Sequence, residues 1–209
     1  MVFAVDRAGL VGDDGETHHG VFDVGFLRQV PGMTVLSPGS TAELKSMMRW
    51  AVLHCDGPVA VRYPRGGDGE YCGDMWQPDR SVAVHTEGKD VVLVTYGTLV
   101  NQLLEASQML LQKGIAATVV RITRIEPLPF DELRKAFAGI ENVVVVEEVC
   151  RNSGIYDCIA SQFPNHHMSR IDLGKRFTTH GSVDVLYREN GLDSSSIVTH
   201  VMEALRYEN

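Results

Sequence analysis

The chain has 209 residues, of which 44% are hydrophobic, enough for one large domain or two modest ones with a buried core. Its formal net charge of −8 argues against a general nucleic-acid surface, although a few arginines can still bind a small anion. No apolar run reaches the ~20 residues that span a bilayer, and the first residues lack signal-peptide features, so we expect a cytoplasmic protein without membrane contacts. The four cysteines show no metal-ligand spacing, which predicts reduced thiols.

The first block of the chain, residues 1–66, alternates short apolar runs with helical patterns. Ser40 and Glu43 form an S-x-x-E capping box, which predicts a helix that begins after Ser40. A second helix is predicted over residues 21–30, where apolar residues recur at helical spacing before Pro31. The predicted strands cover residues 1–5, 33–36 and 58–63.

The stretch 67–88 contains glycine, proline and aspartate with little periodicity, and it is interpreted as a linker or a long covering loop. The second block, residues 89–209, alternates uniformly apolar strands with helices. We predict strands over 90–95, 117–121 and 142–147 and helices over 99–113, 129–138, 154–163 and 194–207. Ser182 is expected to begin a further helix as its cap. The fold class is therefore α/β, with mostly parallel sheets flanked by helices.

Residues 6–20 follow the first predicted strand, where parallel sheets place their ligands. This loop contains four glycines, four acidic residues, Arg7 and the pair His18 and His19. Arginine can bind phosphate or carboxylate, and histidine can move protons near neutral pH. Arg65 follows another strand end, so the two arginines are predicted to converge on one anion.

Two other interpretations of this loop stay open from the residues alone. A solvated surface loop of polar residues is about as well supported as an active site. A metal site is the weakest of the three, because the loop has possible ligands but no pair of histidines at helical i, i+4 spacing.

The run DRAGLVGDDGETHHGVFD, residues 6–23, closely resembles the 1-deoxy-D-xylulose 5-phosphate synthases, thiamine-diphosphate enzymes of the transketolase superfamily. Further matching motifs occur in order: DGPVAVRYPRG at 56–66, YGT at 96–98, VEE at 146–148 and HGS at 180–182. The resemblance covers essentially the whole chain. It implies a partial pyrimidine-binding domain over 1–66 and a complete transketolase C-terminal domain over 89–209.

The resemblance also implies roles for individual residues. Arg7 and Arg65 match the family's two arginines that hold the phosphate of glyceraldehyde 3-phosphate. Asp14 and His18 match the catalytic acid and histidine beside the cofactor, whereas His19 lies at a variable position. The implied reaction condenses pyruvate with glyceraldehyde 3-phosphate, and thiamine diphosphate is the electron sink. The product of this reaction feeds the synthesis of isoprenoids, thiamine and pyridoxal. The resemblance also implies that the full enzyme is a homodimer.

The resemblance further implies that the catalytic machinery is incomplete. The family's magnesium and diphosphate motif and its activating glutamate belong to an amino-terminal part that is missing here, so the cofactor-binding residues are unknown. We expect no metal site, no cofactor bound by this chain alone and no activity without the missing part. The sequence GDG at 67–69 is interpreted as a turn, and Glu147 and Glu148 as structural residues. Residues 149–154 depart from the family's glycine-rich turn.

Two alternatives remain for the function. The chain could be a non-catalytic assembly or regulatory module of transketolase-like fold. It could also be the carboxyl half of another transketolase-like enzyme, such as a dehydrogenase beta subunit, but the motif at residues 6–23 argues against this.

Overall fold

The computed structural model describes residues 1–206, which form two mainly parallel sheets flanked by helices. The first sheet has the order β1-β3-β2-β7, in which β7 is antiparallel to β2 and the other pairs are parallel. Its strands are β1 (Val2–Val5), β2 (Thr34–Leu36), β3 (Val59–Arg62) and β7 (Arg124–Glu126).

The second sheet has the order β4-β6-β5-β8-β9, with β4 antiparallel to β6 and the other pairs parallel. Its strands are β4 (Val82–Thr86), β5 (Val91–Tyr96), β6 (Ala117–Ile122), β8 (Asn142–Val146) and β9 (His167–Ile171). Because the parallel strands end at the same edge, the ends of β5 and β8 lie side by side facing the first block.

Seven α-helices cover the sheets within the described residues. They are α1 (Asp23–Leu27), α2 (Thr41–His54), α3 (Val100–Gln112), α4 (Phe130–Ala136), α5 (Tyr156–Gln162), α6 (Val183–Asn190) and α7 (Ser194–Arg206). Val91 and Leu93 of β5 belong to one core cluster with α3 and α7, and Val92 and Val94 belong to another with α4 and α5. Both faces of β5 are therefore covered, which explains its unbroken run of apolar residues. None of the helices in this part of the chain is long and apolar enough to cross a membrane.

The α/β class with mostly parallel sheets is confirmed, and the predicted strands with long apolar runs are all present. Three strands were missed: β4, β7 and β9. Each lies at an edge of its sheet, so its pairing depends on a partner distant in the chain and leaves little local pattern. The helix predicted over 21–30 was too long, since α1 ends at Leu27 and Val30 is exposed. The predicted end of α7 at Tyr207 lies outside the described residues. The four cysteines are free thiols, as predicted.

The two blocks of the sequence do not form separate sheets, because a strand from the second block belongs to the first sheet. β7 comes from the second block but completes the first sheet by pairing with β2. β4 lies within the stretch 67–88 and pairs with β6, and the Glu132 carboxylate accepts hydrogen bonds from the Ser81 and Val82 amides beside it. The division into 1–66, 67–88 and 89–209 stays a prediction.

The capping box at the start of α2 forms only in part. The Ser40 hydroxyl accepts a hydrogen bond from the Glu43 amide at 3.1 Å, as predicted. The Glu43 carboxylate does not return to Ser40; it accepts from the Gly39 amide at 2.8 Å and pairs with Arg121. A buried guanidinium close by therefore redirects the side chain that a capping box would use.

We expect Ser40→Ala to lower the free energy of unfolding by about 1 kcal/mol, because it leaves an amide of the first helical turn without its acceptor. Ser182→Ala is the matched control: Ser182 is the N-cap of α6, but its side chain makes no capping hydrogen bond. Urea unfolding of both variants should show a loss for Ser40→Ala alone. Equal losses would contradict the assignment of the effect to the cap.

Candidate active site

The loop of residues 6–20 is closed at its base by backbone hydrogen bonds. The Gly9 and Gly20 amides each donate to the carbonyl of the other at 2.9 Å, and the Ala8 amide donates to the Tyr63 carbonyl at 3.0 Å. A Cβ at Gly20 would overlap the Arg7 carbonyl, so this close approach requires glycine. These hydrogen bonds hold the base of the loop in place at the end of β1.

His19 anchors the interior of this loop. The Val11 amide donates to His19 Nδ1 at 3.0 Å, so Nδ1 lacks a proton and Nε2 carries one, which it donates to the Thr179 carbonyl at 3.2 Å. The residue is only 8% exposed. His19, which the sequence left without a role, therefore ties the loop to the second block.

Three of the four predicted site residues meet at the surface of the loop. Arg65 Nη1 donates to Asp14 Oδ2 at 2.5 Å, and Arg7 Nε lies 3.5 Å from the same oxygen. Arg7 Nη1 also donates to Asp6 Oδ2 at 2.9 Å. The hydrogen bond from Arg65 holds the pKa of the Asp14 carboxyl below its usual value. Arg7 and Arg65 thus converge on one carboxylate, as two arginines expected to share an anion would.

The backbone conformation of Arg7 is unusual and supports a functional role for this position. Its φ is +59°, in the left-handed region that few residues other than glycine adopt. Such conformations persist where the surrounding structure fixes them, and they are frequent at functional sites. Here the bond between the Ala8 amide and Tyr63 and the Gly9–Gly20 pair hold the backbone on the carboxyl-terminal side of Arg7.

His18, the fourth predicted residue, lies apart from this cluster. It is exposed, and its Nδ1 is 3.0 Å from the Thr17 hydroxyl oxygen. Within residues 1–206, no hydrogen bond joins it to Arg7, Asp14 or Arg65. The geometry leaves its ring open to solvent, and its catalytic role stays a prediction.

A buried network beneath the loop was not foreseen from the sequence. Arg62 donates to both carboxylate oxygens of Asp23, at 2.9 and 3.2 Å, and to the Gly20 carbonyl at 3.1 Å. Its guanidinium lies over the ring of Tyr96, whose hydroxyl donates to Glu147 at 3.0 Å. A charged residue that ends an otherwise apolar strand was the available signal.

Glu147 and Glu148 point to different parts of the molecule. Glu147 accepts from the Ile155 and Tyr156 amides at 2.7 and 3.0 Å, so it organises the start of α5. A Cβ at Gly154 would overlap its carboxylate, so the atypical stretch 149–154 retains close backbone packing at this glycine. Glu148 instead accepts from the Leu10 amide in the loop at 2.7 Å. Burial raises the pKa of both carboxyls, that of Glu148 to about 7.

The raised pKa of Glu148 predicts that stability falls with rising pH. Between its unfolded pKa near 4.5 and its folded pKa of about 7, the folded state holds a proton that the unfolded state has lost. The free energy of unfolding should therefore decrease by about 2 to 4 kcal/mol over this interval and level off above it. Urea unfolding from pH 4.5 to 8 measures this, and Glu148→Gln should flatten the curve. An unchanged slope in this variant would assign the dependence to other groups.

The GDG sequence at 67–69 has a structural role. The Asp68 carboxylate accepts hydrogen bonds from the Thr41 amide at 2.6 Å and the Thr41 hydroxyl at 2.8 Å, at the first residue of α2. Among residues 1–206, no group of three or more histidine, cysteine, aspartate or glutamate side chains is placed to hold a metal ion.

Two family models match this chain. The model of the transketolase C-terminal domain matches residues 81–197, and the model of the transketolase pyrimidine binding domain matches residues 1–67.

Curated relatives named 1-deoxy-D-xylulose-5-phosphate synthase match nearly the whole chain. The protein from Chlorobium luteolum is 40% identical over 99% of this chain and 34% of its own length. Those from Gloeobacter violaceus and Clostridium kluyveri are each 38% identical, over 100% and 99% of this chain and 34% of their own lengths. The chain thus spans about a third of the length of these relatives.

A solved structure described as a split gene transketolase, an inactive beta4 tetramer, has the same fold. It superposes with a TM-score of 0.85 at 27% identity, over 98% of this chain and 67% of the other.

Proposed function

This chain belongs to the transketolase family, and we propose that it is the carboxyl-terminal part of a thiamine-diphosphate-dependent 1-deoxy-D-xylulose-5-phosphate synthase. The whole enzyme would condense pyruvate with glyceraldehyde 3-phosphate in the cytoplasm, for isoprenoid, thiamine and pyridoxal synthesis. The observation that carries the proposal is the convergence of Arg7 and Arg65 on one point, the Asp14 carboxylate. Two guanidiniums at one anion position suit a phosphorylated substrate.

Each site residue has a proposed task in that reaction. Arg7 and Arg65 hold the phosphate of glyceraldehyde 3-phosphate. Asp14 lies between them, where its carboxylate pairs with both guanidiniums until a phosphate takes its place, and it faces the bound substrate. His18 has its ring in solvent and no ion-pair partner among the described contacts, so it is free to move a proton once a substrate covers it.

The side chains of this loop fit an anionic substrate rather than the cofactor. Thiamine diphosphate supplies the electron sink in such enzymes, and its diphosphate is held through a metal ion. The site offers the guanidiniums of Arg7 and Arg65 around the Asp14 carboxylate, and the described residues contain no cluster that could hold the metal. We therefore assign cofactor and magnesium binding to an amino-terminal part of the enzyme, which this chain needs as a partner. The full enzyme would be a homodimer.

A second candidate function comes from the solved relative. Its description as an inactive tetramer from a split gene shows that a chain of this fold can assemble without activity. On that model the present chain would be an assembly module that associates stably with a separate partner chain.

The test is to recombine the chain with the separately expressed amino-terminal two thirds of the Chlorobium luteolum relative. We expect condensation of pyruvate with glyceraldehyde 3-phosphate when thiamine diphosphate and magnesium are present, and only background from either part alone. Turnover by the isolated chain would contradict its incompleteness. A stable complex without turnover, unaffected by Arg7→Ala or Arg65→Ala, would favour the assembly module.

A further inference from the structure

Glu148 connects the second sheet to the candidate active site. It follows β8 directly, and its carboxylate accepts the Leu10 amide hydrogen at 2.7 Å, a contact between residues 138 positions apart. The backbone of Gly9, with φ +74°, lies so close that a Cβ there would overlap the carboxylate. Glycine is therefore required at position 9 for two reasons: the positive φ of its backbone and the close approach of the Glu148 carboxylate.

The contact between Glu148 and Leu10 lies close to Arg7 along the chain, where it can influence the position of the Arg7 side chain. Leu10 and Gly9 come immediately after Arg7 and Ala8, at the closed base of the loop. The other hydrogen bonds of the loop to the second block lie further along, where the Gly12 carbonyl accepts from the Gly181 amide at 3.5 Å and His19 bonds the Thr179 carbonyl. Just after the loop, the Val21 carbonyl accepts from the Cys150 amide. Glu148 is thus the side chain of the second block that holds the loop closest to Arg7.

We propose that Glu148 is a positioning residue, which sets the backbone of residues 7–10 so that the Arg7 guanidinium meets Arg65 at the anion site. The proposal rests on the proposed function, because it concerns the same two arginines. It assigns the second block a part in substrate binding: the block fixes the loop that carries the anion-binding side chains. Loss of the Glu148 acceptor would free the Leu10 amide and let Arg7 leave its strained conformation.

The surroundings of Glu148 make this contact sensitive to protonation. Arg62 from β3 and the Tyr187 hydroxyl from α6 favour the charged carboxylate, whereas Asp23 from α1 and burial favour the neutral acid. An amide donates a stronger hydrogen bond to a carboxylate than to a neutral acid. The Leu10 hydrogen bond itself should therefore strengthen as Glu148 ionises near pH 7, although ionisation of this buried carboxyl lowers the stability of the fold as a whole.

The experiment compares Glu148→Ala and Glu148→Gln with the control Glu147→Ala. Glu147 is the adjacent buried glutamate, but its carboxylate faces α5 and Tyr96 instead of the loop. Hydrogen exchange of the Leu10 amide reports on its hydrogen bond to Glu148. Binding of sulfate, a probe whose charge is constant between pH 6 and 8, reports on the two arginines, and urea unfolding corrects both for global stability.

Glu148→Ala should accelerate Leu10 exchange about tenfold and weaken sulfate binding severalfold, since a buried amide loses its acceptor. Glu148→Gln should restore most of both, because its amide oxygen can still accept, but the protection of the Leu10 amide relative to its intrinsic exchange rate should no longer change near pH 7. Glu147→Ala should change neither beyond its effect on stability. In the unmodified chain, the NMR shift of the Leu10 amide should titrate near pH 7 and stop doing so in Glu148→Gln.

The proposal is overturned if Glu148→Ala leaves exchange and sulfate binding as Glu147→Ala does. It is also overturned if the loop loosens while sulfate binding is unchanged. A Leu10 shift that titrates equally in Glu148→Gln would contradict the contact with the Glu148 carboxylate. These outcomes differ from a failure of the proposed function, in which sulfate binding by the unmodified chain would not depend on Arg7 or Arg65.

Discussion

Arg121→Met is expected to lower the free energy of unfolding by about 3 to 5 kcal/mol, because it leaves the Glu43 carboxylate buried without its counter-charge. Arg121 on β6 donates to both carboxylate oxygens of Glu43 on α2, at 2.7 and 2.5 Å. Both side chains are 0% exposed. The pair joins the two blocks, so its loss should weaken their packing as well as each block alone.

The neighbours of this ion pair cannot replace the lost guanidinium. The Tyr71 hydroxyl donates to Glu43 at 2.6 Å, and burial raises its pKa to about 12, so it stays a neutral donor. Burial lowers the pKa of His85 to about 4, so at neutral pH its Nε2 can accept from Arg121 Nε at 3.2 Å but supplies no positive charge. Glu43 would therefore be left with neutral donors alone.

Chemical unfolding of the complete chain measures this effect, with Arg134→Met as the matched control. Arg134 pairs with Asp131 at 2.5 Å, but both side chains are more than half exposed, so this loss should be below about 1 kcal/mol. The double variant Glu43→Leu with Arg121→Met should recover much of the stability, because it removes both buried charges. Equal effects of the two single arginine variants would contradict the role given to burial.

The sequence predicted those parts of the fold whose signal is local. β5 and β8 are continuous apolar runs, and α3 has an apolar face, so each could be recognised from its own residues. β7 could not, because three residues gain their structure from pairing with β2 almost ninety positions earlier. The sequence RIE carries no periodicity from which that pairing follows.

The residues of the candidate site differ in the same way: those with a local sequence signal were predicted, and those defined by distant contacts were not. Arg7 and Arg65 were identified from a glycine-rich loop and a strand end, and Asp14 from the family resemblance, and the structure brings the three together. Glu148 and His19 were interpreted as structural or variable, because their importance depends on which backbone groups they face. A contact across 138 positions is a property of the fold and has no counterpart in a local motif.

Arg65→Ala is expected to weaken binding of inorganic phosphate to the chain by about tenfold or more, and Asp14→Asn is expected to tighten it. The two expectations have opposite signs because the Asp14 carboxylate now occupies the guanidiniums that a phosphate would use. Removing one guanidinium removes donors. Removing the carboxylate charge removes a competing anion and leaves both arginines available.

Asp13→Asn is the control that separates this competition from net charge. Asp13 is the exposed neighbour of Asp14 and makes no ion pair with Arg7 or Arg65 among the described contacts, so its loss should change phosphate affinity much less. Titration by calorimetry at constant ionic strength measures all three variants, since these charges are at the surface and are screened by salt. If Asp14→Asn weakened binding, the carboxylate would be orienting the arginines without competing for them. If Arg65→Ala had no effect, the phosphate site itself would lie elsewhere.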